Sequence, residues 1–120
     1  MRKPERTAAR AAAAGALSLD RVFDLLSDRR RRLVLYHLHD CADDTATVDE
    51  ITAYVASQEE SKTSPQEHRQ EIVMSLEHVH LPRLEDAAVL EYDRRSETVR
   101  YRQQPSLEEW LEHARHKELS

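Results

Sequence analysis

Seven histidines and one cysteine carry the most versatile side chains in this 120-residue chain, so metal binding and nucleophilic catalysis are the first chemistries to weigh. Two metal ligands on one helix face need a spacing of three or four residues. His37/His39 and His78/His80 are two apart and diverge, while His113 and His116 share a face with no obvious third ligand nearby. Cys41 stands alone, which removes multi-cysteine zinc sites and internal disulfides, fits a reducing compartment, and reads as a small buried hydrophobe. No Ser-His-Asp ordering or inward carboxylate pair emerges. One glycine, Gly15, cannot build a Walker loop or a dinucleotide fingerprint. The expectation is a chain with no metal, no cofactor and no enzymatic site.

The remaining chemistry is that of charge. Residues 1–16 carry Arg2, Lys3, Arg6 and Arg10 against Glu5, net +3; residues 17–104 are net -6 and residues 105–120 net -2, giving -5 for the chain. Of 18 basic residues 15 are arginine and three are lysine, with one Trp, one Phe and four Tyr. An acidic, lysine-poor and aromatic-poor composition resembles proteins adapted to molar salt, where the Debye length is about 3 Å. It also sets an electrostatic handicap against binding phosphate. Arg29–Arg32 is the densest basic run. Four successive helical residues point in every direction, so they cannot form one phosphate clamp, and a solvated structural role with pairing to Asp24 or Asp28 is expected.

These residues have to be positioned by a small, mostly helical domain. No run reaches the roughly 20 apolar residues of a membrane span, and the weakly hydrophobic Ala11–Leu19 stretch reads as part of a disordered basic arm over 1–16, so a cytoplasmic protein is expected. Ser18 can cap a helix over Leu19–Leu26 with Val22, Phe23, Leu25 and Leu26 forming its apolar side; Ser27 restarts a helix to about His39 that carries Leu33, Val34, Leu35 and Leu38 inward. Asp40–Ala46 reads as a polar loop. Thr47-Val48-Asp49-Glu50 is a capping box for a helix with Ile51, Tyr54 and Val55, to about Ala56. Ser64-Pro65-Gln66-Glu67 starts the longest helix, which places Ile72, Val73, Leu76, Val79 and His80 in one arc. Pro82 should kink it, because its ring removes the bond to the His78 carbonyl.

Val89–Asp93 and Thr98–Gln103 alternate like strands around Arg94–Glu97. Pairing Asp93 with Thr98 puts Tyr92 against Val99 and Leu90 against Tyr101 inward, with Glu91 beside Arg100 outward. Pro105–Glu109 supplies a third capping box, and Leu107, Trp110, Leu111 and Ala114 form a helical stripe. That stripe can pack on its own domain or form the core of a homodimer, where Trp is favoured. The expected divisions are a 1–16 arm, a 17–104 domain and a 105–120 helix that serves as a dimerisation element.

The order of helices followed by a hairpin and a last helix is that of a winged helix-turn-helix: mainly α with a small β-hairpin, plus a C-terminal amphipathic helix. The run Leu26-Ser27-Asp28-Arg29-Arg30-Arg31-Arg32-Leu33-Val34-Leu35 resembles the opening of ArsR-like regulators. His80-Leu81-Pro82-Arg83-Leu84-Glu85-Asp86-Ala87-Ala88-Val89-Leu90-Glu91-Tyr92-Asp93 is similar to their recognition-helix-to-wing junction. With Val79 it looks closest to a haloarchaeal winged-helix family of unknown function whose members often read His-Val-His-Leu-Pro here. The resemblance covers about residues 18–103. Such domains usually have glycine where Ala88 stands, so a different turn into the wing is expected, and the clustered cysteines of ArsR-type metal sensors are absent.

The resemblance implies transcription regulation on double-stranded DNA. In such regulators the long helix enters the major groove by its N-terminal half and the wing touches backbone or minor groove. That maps to Gln66, His68, Arg69, Gln70 and Met74 on the helix and to Arg94 and Arg95 on the wing. Gln can bond adenine and Arg guanine in bidentate pairs. The face opposite Ile72, however, presents Glu67, Gln70, Glu71, Met74, Glu77, His78 and Glu85, four carboxylates and no arginine. A protein-interaction module that uses this acidic face is therefore the competing expectation.

Overall fold

The structure, a computed structural model, describes residues 17–119. The 1–16 arm lies outside the described residues. Helix α1 spans Leu19–Leu26, α2 Arg29–Asp40 and α3 Val48–Gln58, with strand β1 at Thr45–Thr47 before α3. The long helix runs as α4 (Pro65–Ser75), a π-helical turn (Leu76–His80) and α5 (Leu81–Asp86). Strands β2 (Leu90–Asp93) and β3 (Thr98–Tyr101) and helix α6 (Pro105–Leu119) complete the chain. The fold is mainly α with one small antiparallel sheet, laid out as in a winged helix.

Local signals explain most of these elements. The Ser18 hydroxyl accepts from the Arg21 N–H and starts α1. The cap of α2 is Asp28 rather than Ser27, its carboxylate accepting from Arg31 N–H, so that helix begins at Arg29. Both capping-box bonds of α3 form, Glu50 N–H to Thr47 Oγ1 at 3.0 Å and Thr47 N–H to Glu50 Oε1 at 2.9 Å. Ser64 caps α4, with Pro65 at its first position. At α6 the expected box gives way to an earlier start: the Gln104 carbonyl accepts from Leu107 and Glu108 N–H, which places Ser106 inside the helix.

Three features depart from the expected pattern. The segment read as a loop contains β1, and the sheet has three strands in the order β1-β3-β2. The hairpin register itself is as expected, with Leu90 opposite Tyr101, Glu91 opposite Arg100, Tyr92 opposite Val99 and Asp93 opposite Thr98. Next, the proline is absorbed by a wide turn in which Leu81 N–H bonds back to the Leu76 carbonyl, one residue further than in an α-helix. Widening the turn carries the His78 carbonyl away from the Pro82 ring that would collide with it. Leu81 and Leu84 thereby come back into phase and are fully buried, whereas Val79 is 47% exposed instead of facing the core.

The third departure is the turn into the wing. Ala88 takes φ 60°, the left-handed conformation glycine would supply. Ala88 N–H bonds the Glu85 carbonyl and Val89 N–H the Leu84 carbonyl, which closes α5 as a Schellman motif, with Val89 and Leu84 both buried. The tip of the wing is turned the same way without glycine, at Glu97 with φ 55°.

One core gathers Leu25, Leu33, Leu35, Tyr36, Leu38, Ile51, Ile72, Leu76, Leu90 and Val99. Leu107 and Leu111 of α6 join it. Fully burying a leucine is worth about 1.5–3 kcal/mol, so these two hold α6 on its own domain. Glu118 latches the far end of α6, accepting from Arg32 Nε at 2.9 Å and from the Tyr36 hydroxyl at 2.9 Å.

Candidate nucleic-acid interface

Of the eleven residues of α4 only Ile72 is fully buried, so the first half of the long helix stands on the outside of the domain. Gln66 and Gln70 are exposed, and Met74 is 62% exposed. The other two helix candidates are paired within the domain, Arg69 at its surface. His68 Nε2 lies 2.9 Å from Glu59 Oε1 and is half-buried, and Arg69 donates to Asp49 at 2.9 Å. The structure therefore leaves three of the five helix candidates open to a ligand.

The acidic face carries less free charge than its composition indicates. Arg30 grips Glu71 through two bonds, at 2.6 and 2.7 Å, and Glu59 through two more, at 2.7 and 2.8 Å. These bonds hold both carboxyls below their ordinary range and raise Arg30 above its own. Glu77 accepts from the Tyr92 hydroxyl at 3.4 Å, and Glu85 accepts from Tyr92 N–H at 3.3 Å. The same contacts dock the wing onto the second half of the long helix.

On the wing, Arg94 lies 4.7 Å over the Tyr92 ring and donates to Glu85 at 3.4 Å. Arg95, Lys62 and Arg100 are exposed, and their side chains make no ion pair among the described residues. Sequence reasoning passed over the last two. Arg100 was legible, since the hairpin register turns it outward; Glu91 lies opposite it as expected and gives its carboxylate to Arg102, at 2.6 Å.

The Arg29–Arg32 run is structural, but through partners other than Asp24 and Asp28 carboxylates. Arg29 and Arg32 bind Glu118, Arg30 binds Glu59 and Glu71, and Arg31 is only 6% exposed. Arg31 donates to the Leu25 and Asp24 carbonyls at 2.9 and 3.0 Å and lies 3.4 Å from His80 Nδ1. Burial pushes the His80 imidazole below its ordinary pKa, against the pull of Asp28. Cys41 is half-buried rather than fully buried, and burial raises its thiol.

The α6 stripe is divided by the fold. Leu107 and Leu111 face the core of their own chain and cannot also serve as dimer contacts, which leaves Trp110 and half-buried Ala114 at the surface. Trp110, 38% exposed, packs edge-on to Phe23 of α1 with ring centroids 5.2 Å apart. Phe23 is 47% exposed and Leu19 is exposed too, so an apolar patch crosses both helices. Among the described residues no group of His, Cys, Asp or Glu is arranged to hold a metal ion, and no helix is long and apolar enough to cross a membrane.

A helical core, a long helix open along its first half and a docked β-wing define a winged-helix-like domain whose outward face keeps part of its acidic charge. The chain belongs to the DUF7344 family, a domain of unknown function, whose model matches residues 23–100. No curated protein and no solved structure matches the chain.

Proposed function

We propose that this protein is a DNA-binding transcription regulator of ArsR-like winged-helix type, related to haloarchaeal domains, that acts in the cytoplasm as a homodimer. The observation that carries this reading is the outward face of α4: a helix that buries only Ile72 keeps Gln66, Gln70 and Met74 available beside a wing with free Arg95. Groove entry by such a helix with phosphate contacts from the wing is the standard docking geometry of this class. Two-fold symmetry would come from the Phe23–Trp110 patch, which a second copy would cover.

A second reading is favoured by the internal pairing of Arg69 with Asp49 and Arg94 with Glu85, which spends cations that DNA phosphates would use. On that reading the scaffold binds a protein partner and no specific DNA. Binding to genomic fragments measured from sub-molar to molar salt separates the two. Specific fragments recovered with the parent and weakened by Arg95→Ala support the regulator; no specific binding at any salt refutes it.

A further inference from the structure

The exposed stripe of α4 has a narrow chemistry. Gln66, Gln70 and Met74 recur every fourth residue, with half-buried Val73 beside Met74. Eight residues at about 1.5 Å each carry the stripe about 12 Å, the height of three to four base pairs at about 3.4 Å. Two of the charged side chains around it, Arg69 and Glu71, are in ion pairs with the rest of the domain. Arg69 is held by Asp49, Glu71 by Arg30, and Glu67 Oε1 accepts from the Ser64 hydroxyl at 3.2 Å. Along the stripe itself two primary amides and an apolar thioether chain meet a ligand, flanked by exposed Glu67 and His78.

We infer that this stripe reads A·T base pairs in the major groove, an assignment that rests on the DNA-binding reading above. A glutamine amide matches the N6 donor and N7 acceptor of adenine together, and an apolar side chain packs on the thymine C5 methyl. Guanine is read most often by a free arginine, and cytosine by a carboxylate accepting from N4. Arg69 and Glu71, the groups that could do either, are tied to the domain by 2.9 Å and 2.6–2.7 Å bonds. The stripe's own side chains thus match adenine and thymine, while the neighbouring arginine and glutamate are drawn into ion pairs.

The test is selection from a random duplex pool with the full chain at sub-molar and molar salt, followed by affinity measurements on modified sites. Selected sites should carry three or four adjacent A·T pairs. Replacing the adenines with 7-deazaadenine removes N7 and should weaken binding roughly five-fold or more; replacing thymine with uracil removes the methyl and should weaken it about two-fold or more. The first loss should shrink in Gln70→Ala and the second in Met74→Ala, both exposed positions whose variants can be checked for parental helicity. A selected site centred on G·C pairs, or affinity indifferent to both base changes, overturns this inference while DNA binding stands. Binding to no duplex overturns both.

Discussion

Replacing Ala88 with glycine should stabilise the domain. Ala88 sits at φ 60°, where an L-residue crowds its own Cβ against the following carbonyl at a cost of about 1–2 kcal/mol. It cannot escape: its N–H is bonded to the Glu85 carbonyl at 2.9 Å, the next N–H to Leu84 at 3.0 Å, and its own carbonyl accepts from Gln104 Nε2 at 2.8 Å. Its methyl is exposed, so removing it opens no cavity. Glycine relieves the crowding but gives the unfolded chain more freedom, which takes back about 0.5–1 kcal/mol. At the middle of these ranges the net gain is about 0.75 kcal/mol, a rise in melting temperature of roughly 3–6 °C for a domain of this size. Thermal and urea unfolding followed by circular dichroism measure it. Ala88→Val, which adds a β-branch at the same φ, should lose stability. A glycine variant no more stable than the parent would refute the left-handed turn.

Glu118→Gln should cost roughly 1–3 kcal/mol at neutral pH by weakening the charge-assisted bonds to Arg32 and Tyr36. The Arg32 guanidinium, aided by the Tyr36 hydroxyl, pulls that carboxyl from 4.5 to about 2, so its contribution is full above pH 4.5 and vanishes as pH falls toward 2; a gap between variant and parent that does not narrow in acid contradicts the assignment. His80 is depressed by burial, with Arg31, Arg30 and Arg83 adding to the effect and Asp28 opposing it. Below pH 6.5 the unfolded chain takes up this proton while the folded one resists, so stability should fall there, and His80→Gln should flatten the profile between pH 7 and 5 in urea titrations; identical profiles would exclude His80. Arg95→Ala should weaken DNA binding uniformly across sequences and reduce the salt slope by about 1, more than Arg94→Ala, whose side chain is already paired with Glu85; equal effects would contradict that ordering. Trp110→Ala should halve the mass in solution measured by light scattering, and a monomeric parent rules out the homodimer.

What could be read from the sequence was local. The Thr47–Glu50 capping box and the hairpin register depend on residues within about a dozen positions, and both formed as expected. Strand β1 was hidden because three residues carry no period of their own; they become a strand by pairing with β3, Ala46 opposite Val99. The arginine run posed the same problem, since the carboxylate partners of Arg30 and Arg32 lie 29 to 86 positions away. Pro82 announced a disturbance but not its form, and the π-turn decided that Leu84 faces in and Val79 out. At the candidate interface the residue types were legible, whereas the pairing that silences Arg69 and Glu71 required the folded neighbours Asp49 and Arg30.

The Glu118 latch also orders events during synthesis. Its partner Arg32 is made 86 residues earlier, and at about 5–20 residues per second a ribosome needs roughly 4–17 s to cover that interval. Until residues 107–118 are made, Arg32 lacks its carboxylate partner and α2 lacks the cover of Leu107 and Leu111, so the surface that α6 later occupies stays bare on the nascent chain. Closure of this domain is therefore a late event set by translation time as much as by chain collapse.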